Sequence, residues 1–414
     1  MCTGPCCSMG NSSQQRNAEI QVTRNSSDGI IVRVADTVSA VEDLRPYWAN
    51  WKGHRDSDID FFLELIRTSP GVERPYVMVS SGLGKPDAIL VGRLERIKFD
   101  FKVGYLHLPS LPVRALLFSY GGFRGNQSEE NTASLVKAIV GCLRRGDADI
   151  AMFHQAEANS PLYRYALDAP GMWCRDHTHV PAPHHFMTLS GDFEEVLQRL
   201  SKQHRSQLRG INRKFPAAFE GLVDIRCFRG CDELEQVIPQ IEEIAKKTYQ
   251  RGLSVGFKDT PVVRERLRLS ARKGWLRAYV LYVKGRPCSF WIGTVNDGTF
   301  CSDYLAFDPE FSEHSPGTYL QLHVIEDLCR TGVRDIDFGA GPARYKERFG
   351  NLIRMESNLY VYAPRPKAVS LNVMRTFMTA LDRNLKTLLE RLKLLALIKR
   401  LWRGRAAQAT TSQA

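Results

Sequence analysis

Short apolar runs bounded by glycine and proline alternate along the chain with longer segments whose apolar positions recur at helical spacing. Residues 76–80, 88–94 and 115–120 read as strands. A helix follows them: Ser128 offers a capping oxygen, Glu129 and Glu130 put acids in the first turn, Leu135, Val136, Ile139, Val140 and Leu143 form one face, and Gly146 stops it. Residues 150–154 form the next strand and 160–166 a short helix, which makes an α/β unit. A strand at 186–189 then leads into a long helix over 193–214 that Pro216 is expected to end. Beyond it the order recurs. A strand near 223–228 precedes helices over 232–249 and 261–273, and a hairpin of 276–283 and 288–295 turns at Lys284-Gly285. After Asn296-Asp297-Gly298 come a strand at 299–306, a helix at 316–330 and a strand at 335–338. No repeat is visible residue by residue, so duplication rests on the pattern alone. In the tail, Phe377, Leu381, Leu385, Leu388, Leu392, Leu395 and Ile398 keep a helical period with Lys and Arg opposite.

At 414 residues the chain has the length of two to three domains. The pattern divides it into a disordered tail over 1–28, poor in large apolar groups, lobes over 29–190 and 191–362, and a basic amphipathic helix and tail over 363–414. No run of about 20 apolar residues occurs, and Met1 to Ser13 lack the features of a secretory signal. The expected location is therefore the cytoplasm, with peripheral contact on the inner face of the membrane through the tail as one option. The ten cysteines form no paired knuckles, so they are expected reduced, and Cys2, Cys6 and Cys7 could be acylated. The net charge of +12 is concentrated, because residues 363–405 hold eleven Lys or Arg against Asp382 and Glu390. That excludes a globally basic, DNA-coating surface and leaves three readings of the tail: packing on the first lobe, a coiled coil with a partner, or lying on an anionic membrane.

The chemistry concentrates in the run Tyr304-Leu305-Ala306-Phe307-Asp308-Pro309, then Ser315-Pro316-Gly317-Thr318, then Asp337-Phe338-Gly339 continuing to Tyr345-Lys346-Glu347-Arg348-Phe349-Gly350. Ser315 can cap a helix with Pro316 in its first turn, and such an end offers backbone N–H groups and a dipole to a diphosphate. This order of motifs resembles the CelD/BcsL-like branch of the GNAT acyltransferases, which is related to Fem-type peptidyltransferases. The basic segment Lys202 to Lys214 is similar to an Arg-rich helix of those proteins. The resemblance covers roughly 186–362 and, faintly, the earlier half. It implies an α/β fold with mixed sheets in two tandem GNAT-like lobes, the second holding the acyl donor.

The resemblance further implies acetyl-CoA as cosubstrate, its pantetheine beside strand 299–306 and its diphosphate at the amides of Ser315, Gly317 and Thr318. Fem-type relatives take an aminoacyl group from tRNA instead, so that donor stays open. Acyl transfer needs a base for the acceptor and an acid for the leaving thiolate. Asp337 or Asp303 is the candidate base and Tyr345 the candidate acid, and Lys346 matches a lysine that Fem-type enzymes keep near the reaction centre. Each has a plainer alternative: a turn-capping aspartate, a core tyrosine, a solvated lysine. Arg205 and Arg209 recur at i, i+4 with Arg213, a spacing in which like charges repel unless an anion such as phosphate sits among them. No metal is expected, since His177, His179, His184 and His185 are interrupted by Pro181 and Pro183 and no HExxH occurs. No GxSxG elbow marks a hydrolase. The expected function is acylation of N or O on a sugar or cell-envelope polysaccharide precursor, small or lipid-linked. The alternatives are aminoacyl transfer from tRNA and an inactive partner in a polysaccharide assembly complex.

Overall fold

A computed structural model describes residues 23–24, 30–82, 84–103, 106–248, 251, 256–341 and 343–391. In the first half, Ile31–Ala35, Val77–Gly82, Lys85–Phe99 and Leu111–Gly125 pair antiparallel in turn, and Leu111–Gly125 then pairs parallel with Ile150–Glu157. A parallel pair needs a crossover. Helix Glu129–Arg145 supplies it: Ser128 caps the start by accepting from the Asn131 amide, and Gly146 ends it at φ +88°. The second half repeats these connections. Val223–Phe228, Leu276–Val283, Arg286–Asn296 and Thr299–Phe307 pair antiparallel, and helix Pro316–Arg330 carries the chain to the parallel strand Asp335–Ala340. The duplication that the sequence only suggested is thus present in the backbone, as two α/β lobes with mixed sheets.

The lobes share strands. Leu352–Tyr362 lies between Ile150–Glu157 and Ala182–Thr188, and Ala182–Thr188 pairs on its other side with Asp335–Ala340. One continuous sheet therefore runs through position 190, with each half completed by a strand from the other. Strand alternation sends neighbours to opposite faces. Val77, Val79 and Ile89 pack with Trp48 and Phe62, whereas Met78 and Leu90 pack with Ile139 and Phe153. Trp291 joins Leu320 and Phe338, whereas Phe290 and Ile292 join Ile241 and Phe257.

Several expectations change. The helix anticipated over 193–214 is two helices, Phe193–Gln198 and Lys202–Ala218. Ser201 caps the second by accepting from the His204 amide, and Arg205 ties the break by donating to the carbonyls of Gln198 and Leu200. Pro216 sits inside the last turn, where a missing amide forfeits only one helical bond. Helices Val38–Glu42, Arg45–Trp48 and Ile59–Thr68 were not foreseen, nor was strand Leu352–Tyr362. The tail expected to be disordered lies outside the described residues except Thr23–Arg24, where pairing with Ile31 and Val32 at the sheet edge replaces disorder.

Helix Pro366–Arg391 begins against the first lobe. Ala368 and Leu371 enter its core, the Asn372 amide donates to the carbonyls of Trp173 and Arg175, and Arg375 lies 4.0 Å over the Tyr360 ring. Farther along, Phe377, Leu381, Leu385 and Leu388 are exposed. Leu392, Leu395 and Ile398 lie outside the described residues. No described helix is long and apolar enough to cross a membrane.

Candidate active site

Parallel pairing of Thr299–Phe307 with Asp335–Ala340 stops at Cys301 opposite Asp337. Past that point Gly339 adopts φ +77° and donates its amide to Asp337 Oδ1 at 2.7 Å, turning the strand aside. The two strands open a cleft of about 290 Å3 lined by Ser302 to Ala306 on one side, Phe338 to Ala340 on the other, and Tyr345 and Lys346. The first lobe behaves alike: its parallel pairing ends at Phe118 opposite Phe153. The space beyond merges into a cavity of about 480 Å3 between the lobes, reached by Tyr120, His54, Cys301, Asp337, Arg354 and Glu356. At Gly121, with φ +58°, a Cβ would lie 2.6 Å from that of His54, so only glycine lets His54 approach.

Where the pairing ends, Asp337 lines the cavity and is 4% exposed. His184 Nε2 lies 2.6 Å from its Oδ1, and His184 Nδ1 lies 2.6 Å from Glu356 Oε2. Tyr120 donates to the other Glu356 oxygen at 3.2 Å. On the cavity side, His54 Nε2 is 3.7 Å from Asp337 Oδ2 and 3.4 Å from Cys301 Sγ. Burial alone would make Asp337 a weaker acid, but the His184 and His54 imidazoles outweigh it and hold the carboxyl well below its usual range. Burial likewise opposes charge on both imidazoles. Their partners prevail, raising His184 to about 9 through Asp337 and Glu356, and His54 to about 10 through Asp337 and Cys301. Burial, then Asp337 and Glu356, push the Tyr120 phenol up. The strand exchange assembles this network, because Glu356 and His184 ride on the shared strands.

The residues singled out from the sequence separate into groups. Tyr345 and Lys346 line the second-lobe cleft, and Asp337 lines the cavity between the lobes. Lys346 is buried and donates to the carbonyls of Gly339 at 3.0 Å and Ala340 at 2.9 Å, which fixes the cleft's lip, and burial lowers its pKa. The Tyr345 ring meets Phe338 edge to face. Asp303 does not fit the role of a base. Both its oxygens accept from the Arg55 guanidinium, which also donates to Thr294, so the carboxylate is committed to a buried ion pair between the lobes.

The expected diphosphate amides are also altered. Ser315 takes φ +57° and makes no side-chain cap, correcting its expected capping role. Its amide donates to Ser312 and its carbonyl accepts from Thr318 and Tyr319, so of the three amides only that of Gly317 has no backbone acceptor. Arg205 is used within the chain, and Arg209, 3.9 Å from Glu194, faces solvent. Neither borders the cleft or the cavity. His177 and His179 contact backbone carbonyls of their own loop, while His184 reaches Asp337, so the four clustered histidines do not converge. His54, Arg55, Tyr120, Cys301 and Glu356 escaped notice. The one local signal was His54-Arg55-Asp56, three polar residues leading into an apolar helix.

Residues 202–347 match the family model of the acetyltransferase (GNAT) domain. The second lobe therefore carries a GNAT-type acyltransferase domain. The fold is similar to that of FemX, with a TM-score of 0.55 and 10% identity over 80% of this chain and 98% of that one. L-PGS from Bacillus licheniformis aligns with a TM-score of 0.48 and 15% identity, covering 81% of this chain and 96% of its own. A tandem GNAT protein from the clavulanic acid biosynthesis pathway aligns at 0.44 and 14%, covering 81% and 99%. No curated protein matches the sequence.

Proposed function

We propose that the chain transfers an acetyl group from acetyl-CoA, bound in the second-lobe cleft, to nitrogen or oxygen of a saccharide precursor of the cell envelope held between the lobes. The observation that carries this reading is the end of strand pairing at Cys301 and Asp337. The cleft begins at Ser302 and Phe338, next in the chain to Cys301 and Asp337, which line the cavity, so a thioester at the apex lies beside the acceptor space. Main-chain groups released where strands diverge can pair with the amides of a pantetheine arm. As the acceptor attacks, a C–N or C–O bond forms and the C–S bond breaks. The acceptor's proton passes to the Asp337 carboxylate, the thiolate takes one from Tyr345, and Lys346 keeps the lip in place. The CelD/BcsL-like motif order supports the saccharide acceptor. The exposed apolar side chains of the tail helix, with Arg383 and Lys386 beside them, support peripheral contact with an anionic membrane face, testable by flotation with anionic against zwitterionic vesicles.

Calorimetric titration with acetyl-CoA and CoA tests the donor. Micromolar binding, abolished by Gly317→Asp, is expected. One observation favours a second reading: the amides of Ser315 and Thr318 are already engaged, which suits a donor without a CoA diphosphate, such as aminoacyl-tRNA. Absence of acetyl-CoA binding together with RNA-dependent transfer would select it. Binding without turnover on any acceptor would indicate an inactive partner.

A further inference from the structure

We infer that His54, Cys301 and Asp337 form a binding site for a divalent transition-metal ion of the zinc type, with its open coordination position facing the cavity between the lobes. The inference does not rest on acyl transfer. Nε2 of His54, Sγ of Cys301 and a carboxylate oxygen of Asp337 all lie within 4.8 Å of one another. Tetrahedral zinc with ordinary Zn–N, Zn–O and Zn–S bonds separates its ligand atoms by about 3.3–3.6 Å. The observed separations, 3.4 Å from Nε2 to Sγ and 3.7 Å from Nε2 to Oδ2, are close to those edges. The second is too long for a hydrogen bond. The two side chains thus face each other at the separation of an ion pair, across a gap that a shared ion would also bridge.

The donor set suits the charge and softness of zinc. A thiolate and a carboxylate neutralise a divalent ion, and sulfur with imidazole nitrogen discriminates against magnesium and calcium. The surroundings already orient the ligands. Asp337 is held through its other oxygen by His184 and the Gly339 amide, and His184 is backed by Glu356. His54 Nδ1 accepts from the Asp56 amide at 3.2 Å and has the Asp56 carboxylate 3.5 Å away, so coordination through Nε2 would exchange that bond for donation from Nδ1 to the carboxylate, which Arg266 holds at 2.8 Å. Such outer partners fix ring orientation in metal sites. Arg55 adds no net repulsion, because Asp303 matches its charge. The histidines clustered in sequence supply no ligand to the site, and the expectation of no metal missed it because the three ligands come from segments that only the fold unites. In an acyltransferase, the ion would bind the acceptor atom and ease its deprotonation, the part assigned above to the Asp337 carboxylate.

The test uses the full-length chain, freed of metal with a chelator and titrated with Co2+ and then Zn2+ alone. One Co2+ per chain is expected, with a sulfur-to-metal charge-transfer band in the near ultraviolet that Zn2+ removes by displacement. Cys301→Ser abolishes the band, and Asp56→Asn, which touches no ion, lowers Zn2+ affinity about 10- to 100-fold. Circular dichroism and a retained urea midpoint separate lost binding from lost folding in both variants. The N-terminal thiols supply the decisive control. A chain with Cys2→Ser, Cys6→Ser and Cys7→Ser keeps both stoichiometry and band. Loss of the band in that control, its survival in folded Cys301→Ser, or no stoichiometric uptake by the unaltered chain would overturn the inference.

Discussion

Breaking the ion pair between Arg55 and Asp303 separates a structural role for Asp303 from a catalytic one. The Arg55 side chain is 6% exposed and that of Asp303 13%, and the guanidinium reaches both carboxylate oxygens and Thr294. Removing one partner of such a buried pair leaves the other charge without compensation, which costs about 3–5 kcal/mol. Asp303→Asn should fall near the lower end, about 3 kcal/mol, because the amide oxygen and Thr294 still accept from Arg55. Arg55→Met should cost more, about 4 kcal/mol, because it strands a carboxylate. Each single variant carries the penalty of an orphaned charge, and the double variant does not. The double variant should therefore lose no more than either single one, at most about 3 kcal/mol rather than about 7, a coupling energy of about 4 kcal/mol or more. Urea unfolding of the four proteins, followed by far-ultraviolet circular dichroism and by tryptophan fluorescence, measures the cycle. Additivity to within about 0.5 kcal/mol would refute the reasoning. So would full stability of Asp303→Asn with lost turnover, the behaviour of a catalytic base.

Lys346→Met leaves the Gly339 and Ala340 carbonyls without their donor and frees the cleft's lip; acetyl-CoA affinity should fall about tenfold by calorimetry, or about 1.4 kcal/mol. Unchanged affinity would sever the lysine from the donor site. Asn372→Ala removes two hydrogen bonds from a buried side chain at the root of the tail helix and should cost about 1–3 kcal/mol, seen as earlier proteolysis of that helix. Burial pushes the Cys288 thiol up to about 12 and the Cys329 thiol up to about 11, from an ordinary 9.0. The folded chain keeps protons that the unfolded chain releases, so the contribution of each thiol is complete below pH 9 and declines by up to about 1.4 kcal/mol per unit as pH rises through 9 to 11. Urea midpoints at pH 8 and 10 check this, and Cys288→Val should flatten part of the decline.

Much of the local architecture was legible because its causes are local. Ser128 and Gly146 bound a helix by capping and by a left-handed backbone, and Leu276–Val283 pairs with Arg286–Asn296 around a Lys-Gly turn, each from neighbouring residues alone. The motif order Asp337 to Gly350 likewise pointed to the second lobe, and the domain match over 202–347 agrees. Nothing local marked Leu352–Tyr362, where Leu352, Ile353, Arg354 and Met355 are all exposed before Leu359 and Val361 turn inward, so the strand lacks a clean period of two.

What the sequence by itself determined, then, is two α/β runs, their capped helices and a motif naming the acyltransferase lobe. What tertiary structure decided is which carboxylate sits where. Asp303 and Asp337 are the same residue type on adjacent strands, and propensity cannot tell them apart. Asp303 meets a guanidinium from 248 positions away, and Asp337 meets an imidazole 153 positions away. Those meetings depend on strands exchanged between lobes, and hydrogen bonding between distant segments leaves no periodicity in either. The charge state, reach and chemistry of each carboxylate follow from neighbours that only the folded chain supplies.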